Sequence, residues 1–503
     1  MWGIIKKHPL LSSLIGAIII RLIAVIFSCG YMANDDHFET VNVAYRAVQI
    51  GLLNDSGLMR WNAVPSDKIS RSPLYVLTLY IQMKVLKLMG ISDLDSMMYF
   101  IRFIHALLSL LIIWFAYRYI YEATESREYS FLGAAILSFH FLMPYLSVRN
   151  LIEMVSADFL VPAVYLAYRG ISRDDNRLLF WAGILAGLSW MIRFNTGLAV
   201  LPIPVAIWLL TRKFRPVLAF IAGGTVMVIF SGYLDYLLLG GFGRSSVNII
   251  NAIIFPAGAP PIPRPFWNYL VLILAVFIPP FSFYFLFSFF NRALIRKHLI
   301  LFSAVSIFFL SHSLVTHKEE RFMIPIFPLL VMMGAIGLYT LSKGKPAMIK
   351  SRFFRFSAGA AAAINLILLS IMTINYGHKG MVEPFAYLSH QTDVTGILID
   401  RTERFKIIPY IYTGFNMPRR MQIDNPEQLG LEGRDYACFD SVNYFVIFAD
   451  SNPESHVQML AAQFPGLRQV YHIKPSILDW LLHGLNPRHN RLNESYVYKR
   501  DTE

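Results

Sequence analysis

What most constrains this chain is a series of long apolar runs separated by short basic segments. A helix rises about 1.5 Å per residue, so about 18 or more apolar residues are enough to cross a hydrocarbon core of about 30 Å. Runs of that kind occur near residues 9–28, 100–120, 130–148, 151–169, 217–239, 266–290, 299–316, 323–341 and 356–376. The stretch from Phe180 to Leu210 is too long for one span and carries Arg193 and Asn195 at its middle, which fits two shorter helices meeting at a polar break. The expectation is an α-helical polytopic membrane protein with about eleven spans. Its composition agrees: 55% hydrophobic and 15% charged residues, with a mean hydropathy of +0.49, lie outside the soluble range.

The formal charge of +13 is read against that background. In a polytopic protein it marks cytoplasmic loops rich in Lys and Arg, and no nucleic-acid partner is implied. Basic clusters occur at Lys6/Lys7, Arg173/Arg177, Arg212/Lys213/Arg215, Arg292/Arg296/Lys297 and Lys343 through Arg355. Placing them inside puts the loop after the first span, the segment around residue 317 and the C-terminus on the other side. The first run then acts as an uncleaved signal. Residues 73–90 break the parity, because Lys84 and Lys87 fit an interfacial helix as well as a span. Cys29 and Cys438 are too few for a disulfide framework or a zinc site.

After Tyr376 the chain turns polar. Residues 377–503 contain strand-like runs at "VTGILID", "YFVIFAD" and "ESYVYKR" and are long enough for a small α/β domain, expected to be extracytoplasmic. The division is therefore a membrane domain over 1–376 and an α/β domain over 377–503. "AGAAAAI" in the last span reads as close helix packing.

Two polar segments carry the chemistry. In the first loop, residues 31–72, "YMANDDHFETVNVAYRAVQIGL" places Phe38, Val41, Tyr45 and Val48 at helical spacing, an amphipathic helix with Asp36 as a possible N-cap. Asp35 precedes that helix, where a carboxylate has less structural reason to be. In the second, "THKEERFMIPIFPLL" sets five ionisable residues, His317 to Arg321, between two apolar runs. Together the two segments offer cations that can hold an anionic group and a carboxylate that can take a proton from an attacking hydroxyl. Asp35 is the candidate base and Asp36 the reserve. Lys318 and Arg321 are the candidate phosphate clamp, with His317 as a further donor, while Glu319 and Glu320 orient or neutralise the cluster. The alternative for this segment is a solvated turn. Arg71, Arg149, Arg193 and Asp235 fall in spans or at their ends, where substrate contact competes with snorkelling or a structural ion pair. His105 and His140 read as structural. The proline-rich "PAGAPPIPRPFW" would form a rigid extracytoplasmic loop.

These segments resemble a known family. The first-loop pattern just after span one, "SRSPLYVLTLY", "GILAGLSWMIRFNTGLAVLP", "GYLDYLLLGGFGRSSVNIINAI" and "HKEERFMIPIFPLL" are similar, in this order, to motifs of the polyprenyl-phosphate-mannose-dependent α-mannosyltransferases of glycosyltransferase family 22, the GPI-anchor and lipid-linked-oligosaccharide mannosyltransferases of the GT-C fold. The likeness covers about residues 31–330. It implies a polyprenyl-phosphate sugar donor, a glycolipid or glycan acceptor, inversion to an α-linkage, and no metal or other cofactor. It favours Arg193 for the donor phosphate, with Glu39, Arg71, Asp235, Glu319 and Glu320 in supporting or acceptor roles. Glu39, Asn42 and Tyr45 depart from the family's residues, which leaves the substrate more open than the reaction. A transferase of another lipid-linked sugar, such as aminoarabinose or glucose, is the nearest alternative, and a transporter or flippase the more distant one.

Overall fold

The structure is a computed structural model that describes residues 7–27, 29–31, 37–61, 69, 71–254, 264–400, 412, 419–423, 441–449, 453–485, 487, 490, 492 and 494–500. Its main helices are α1 (Pro9–Phe27), α2 (Asn42–Ile50), α3 (Pro73–Leu88), α4 (Leu94–Leu108), α5 (Leu110–Thr124), α6 (Arg127–Phe139), α7 (Ile152–Ser172), α8 (Asn176–Ile192), α9 (Pro202–Thr211), α10 (Phe214–Leu239) and α11 (Arg244–Ile254). They continue with α12 (Asn268–Val276), α13 (Phe281–Phe287), α14 (Leu299–Leu314), α15 (Phe327–Gly344), α16 (Arg352–Ile374), α17 (Lys379–Ser389), α18 (Glu454–Ala461) and α19 (Ile477–Leu485).

Six helical stretches of the described residues are long and apolar enough to cross a membrane, or seven if α12 and α13, bent by 112°, form one span. The expectation of about eleven is met in part by this measure, for reasons visible in the chain. The run at 130–148 breaks where His140 takes an extended backbone after α6. The run at 266–290 breaks at Pro279 and Pro280, which cannot donate to a helix. Helices α8 and α14 have only 17 and 16 residues, and α7 is less apolar because it carries Glu153, Asp158 and Arg169. Residues 73–88 form α3, whose Lys87 donates to Val48 O and Gln49 of the first loop, so one of its two awkward charges is held by protein.

The chain divides into two compact units. One comprises Met1–Val25, Leu52–Leu79 and Arg102–Thr373. Within it α8 lies against α10 with the backbones in contact: a Cβ on Gly183 would sit 2.0 Å from Phe220 O, and one on Gly223 2.0 Å from Phe180 O. Gly183 and Gly187 thus act as a small-xxx-small pair. The expected break after α8 is present, with extended Arg193 and a short 3-10 turn at Phe194–Thr196. Arg21 of α1 is buried and fastens three elements, donating to Ser109 Oγ at 2.8 Å and to Leu137 O and Ser138 O at 3.2 and 3.4 Å.

The second unit comprises Ile26–Gly51, Tyr80–Ile101 and Ile374–Glu503. Its sheet has strands β1 (Gly396–Asp400), β2 (Arg419–Ile423), β3 (Tyr444–Ala449), β4 (Leu467–Ile473) and β5 (Glu494–Arg500) in the order β2-β1-β3-β5-β4. β1 pairs in parallel with β2 and β3, while β5 is antiparallel to β3 and β4. The three expected strands are β1, β3 and β5, the buried centre. β2 and β4 escaped notice because they are edges and carry charged and polar side chains. The first-loop helix is also here: Phe38, Val41, Tyr45 and Val48 are all buried in α2 and the π-turn His37–Val41 before it.

Candidate active site

The charged segment His317–Arg321 folds as the turn between α14 and the short helix Glu320–Ile326 that leads into α15. Around it gathers a polar cluster within the first unit. Glu153, in the first turn of α7, is fully buried. Its Oε1 lies 2.9 Å from Nη2 of Arg193 and 3.8 Å from Nε of Arg321. Neither Glu153 oxygen receives an aligned hydrogen bond among the described residues, so these are ion pairs more than directed bonds. Arg321 is held further by Glu319, Nε to Oε2 at 2.6 Å, and Glu319 also meets His317 Nε2 at 2.9 Å. The Phe322 ring is near both guanidinium groups, 5.6 Å from that of Arg193 and 5.7 Å from that of Arg321.

A second set of contacts latches the turn to the segment before α12. Arg264 Nη1 donates to Glu320 Oε1 at 2.8 Å, Lys318 Nζ donates to Arg264 O at 3.3 Å and to Val315 O, and Tyr269 OH donates to Glu319 O at 3.2 Å. Lys318 is only 4% exposed, and two of its three protons go to backbone carbonyls. Counting Arg193, Arg264, Lys318 and Arg321 against Glu153, Glu319 and Glu320 leaves one positive charge in excess, with His317 neutral. A nearly neutral cluster of that kind keeps its guanidinium groups oriented at low electrostatic cost and still favours an anion.

The same unit shows at which end the cluster lies. Arg173 and Arg177 stand at the start of α8 and Arg193 at its far end, while Lys297 precedes α14 and His317 follows it. Lys297 Nζ donates to Ala123 O at the end of α5. The cluster therefore occupies the ends of α8 and α14 opposite the basic loops.

The other sequence-derived residues distribute as follows. Asp35 and Asp36 lie outside the described residues, as do residues 257–263 of the proline-rich loop and Cys438. Glu39 is half-buried in the second unit. Beside it Tyr31, His37, His378 and Tyr412 stack in a row, with ring centroids 5.2 to 5.6 Å apart. Burial, with Tyr412 nearby, pushes the Tyr31 phenol above its ordinary range. Asp235 is buried in α10 and accepts from Ser245 N and Oγ at 2.8 and 2.6 Å, capping α11, whose Asn248 holds Ile69 O at 2.7 Å. Arg71 is half-buried two residues further on. Arg149 stacks 3.4 Å over Tyr145 and donates to its carbonyl, a structural arrangement. His105 meets Tyr75 OH, and His140 meets Val276 O. Sequence reasoning missed Glu153, Arg264 and Tyr269. Glu153 was detectable, because a carboxylate inside an apolar run is costly and needs a partner.

Across 98% of both chains the structure is similar to ArnT from Cupriavidus metallidurans in the apo state, with a TM-score of 0.58 at 13% identity. It is equally similar to ArnT from the same organism bound to undecaprenyl phosphate, with a TM-score of 0.58 at 12% identity over 97% of each chain. The fold is thus that of the multi-pass GT-C membrane proteins. Within it, the Alg9-like mannosyltransferase family matches residues 13–410, and the chain belongs to that family. An uncharacterized protein from Aquifex aeolicus is 25% identical over 356 residues, 65% of this chain and 67% of its own.

Proposed function

We propose that this glycosyltransferase moves mannose from a polyprenyl-phosphate-mannose donor to a hydroxyl of a glycolipid or lipid-linked glycan, with inversion to an α-linkage and without a metal. The observation that carries this reading is the pairing of Arg193 and Arg321 on buried Glu153 inside a cluster with surplus positive charge. Two guanidinium groups oriented by one carboxylate offer forks to the oxygens of a phosphate. The acceptor oxygen attacks the anomeric carbon, the bond from that carbon to the phosphate oxygen breaks, and polyprenyl phosphate leaves as an anion beside Arg193 and Arg321. Asp35 takes the hydroxyl proton, with Asp36 beside it. His317 faces the same phosphate, Lys318 acts by holding the turn, and Glu319 and Glu320 aim Arg321 and Arg264. Glu39 and Arg71 are assigned to the acceptor, and Asp235 supports the segment at Ile69 through α11. The active site faces away from the cytoplasm, and residues 377–503 form an extracytoplasmic α/β domain.

ArnT holds undecaprenyl phosphate in one of the similar structures, which supports a polyprenyl phosphate as carrier here. That likeness also keeps a second donor sugar in view. The test is transfer from radiolabelled polyprenyl-phosphate-mannose to a glycolipid extract by purified protein and its Asp35→Ala variant, with and without chelator. Transfer that survives chelator and is lost in the variant supports the proposal. Transfer only from another lipid-linked sugar replaces the donor, and loss on chelation replaces the mechanism.

A further inference from the structure

The run "AGAAAAI" was expected to pack closely in the last span, and it does not. A Cβ on Gly359 would meet open space, and Ala358, Ala361 and Ala362 line a cavity of about 520 Å³ in the first unit. The opposite wall is α6, through Leu132, Ile136 and Phe139. From Glu128 to Phe139 the lining follows α6 for about 18 Å at helical rise, close to one leaflet, half of a hydrocarbon core of about 30 Å.

Both ends of this groove are defined. The inner end is shut by Asn365, which donates to Phe139 O at 2.8 Å and accepts from Phe141 N at 3.0 Å, and by His140 against Val276 O. The outer end is bordered by Glu128, Tyr129, Ile349 and Phe354. There the neighbouring residues Lys345, Lys350, Arg352 and Arg355 are exposed. Four cations against one lining carboxylate favour an anionic headgroup, and basic pockets at the cytoplasmic ends of helices are where such headgroups bind. The groove stops at Leu338 on α15, eleven residues from Phe327, or roughly 16 Å of helix short of the end that bears His317–Arg321. The donor's phosphate, placed at that end, is therefore not its headgroup.

We propose that this groove binds one acyl chain of an anionic phospholipid of the cytoplasmic leaflet, with the phosphate held by Lys345, Lys350, Arg352 and Arg355. The alanines of α16 are small because a lipid chain, and not a helix, completes that wall. The proposal does not depend on which sugar is transferred.

The test uses the full chain in phosphatidylcholine nanodiscs with a phosphatidylglycerol probe bearing a photoreactive group on one chain. Labelling should map to Leu132, Ile136, Ala358, Ala361 and Ala362 and exceed that from the matching phosphatidylcholine probe. Lys350→Glu with Arg352→Glu should lower it by about fivefold per residue. Ala361→Trp, which fills the groove, should abolish it, while Gly359→Leu, which points into open space, should leave it intact; melting temperature in detergent checks that each variant folds. Equal labelling by both probes, unchanged labelling in folded Ala361→Trp, or displacement of the probe by polyprenyl phosphate would each overturn the assignment.

Discussion

A single carboxylate organises the candidate site. Glu153 is buried beside two arginines and, among the described residues, receives no aligned hydrogen bond, so its value lies in compensating their charge. Replacing Glu153 with Gln leaves Arg193 buried against an uncharged amide and is expected to cost about 3–5 kcal/mol, read as a lower unfolding temperature in detergent. Arg321→Ala should lower kcat/KM for transfer by about 100-fold or more, and Arg321→Lys should recover only part, because an ammonium lacks the fork. A structural role alone would leave the lysine variant close to wild type. In the second unit, Lys499 at 2.7 Å and the Tyr444 hydroxyl at 2.9 Å hold the Asp393 carboxyl below its ordinary range. A depressed folded value contributes stability above the unfolded one, about 3.9, and that contribution fades as pH falls through the folded value. Wild type and Asp393→Asn should therefore differ in stability at neutral pH and converge in acid unfolding below that range.

At the level of elements, Arg193 at the end of α8 reaches Glu153 of α7, and α8 is also held against α10. Gly183 and Gly223 let those two backbones touch, and a Cβ at Gly183 has nowhere to go against Phe220 O. Gly183→Val should lower both stability and transfer, whereas Gly359→Val, in open space, should change neither. The same "GILAGLSW" residues were legible in the sequence as a family-like motif, yet their partner glycine lies 40 positions away on another helix. No local pattern joins the two. The long unbroken helices are fewer than the apolar runs for a related reason: an apolar run reports what is excluded from water, but a break at His140 or at Pro279 and Pro280 is set by backbone geometry that hydropathy averages away.

For the whole molecule, the surprise is the composition of the second unit. The strands of residues 377–503 share a compact unit with Ile26–Gly51 and Tyr80–Ile101, and the stacked rings Tyr31, His37, His378 and Tyr412 draw on both the first loop and the C-terminal part. A fragment of residues 377–503 should accordingly fail to give a dispersed NMR spectrum by itself, and Tyr31→Ala should reduce kcat more than it raises KM if the stack steadies the Asp35 segment. A folded fragment would remove the first part of that reading. By itself, the sequence determined the membrane class, the polar break at Arg193, three central strands and the charged segment His317–Arg321. Those features follow from burial and periodicity, which are local. Only the tertiary structure decided that Glu153 pairs with Arg193 and Arg321, that Lys318 turns inward to backbone carbonyls, and that a run of alanines lines a groove. Those outcomes depend on which helix faces which, and side-chain charge and size along one segment do not encode the neighbour that will meet them.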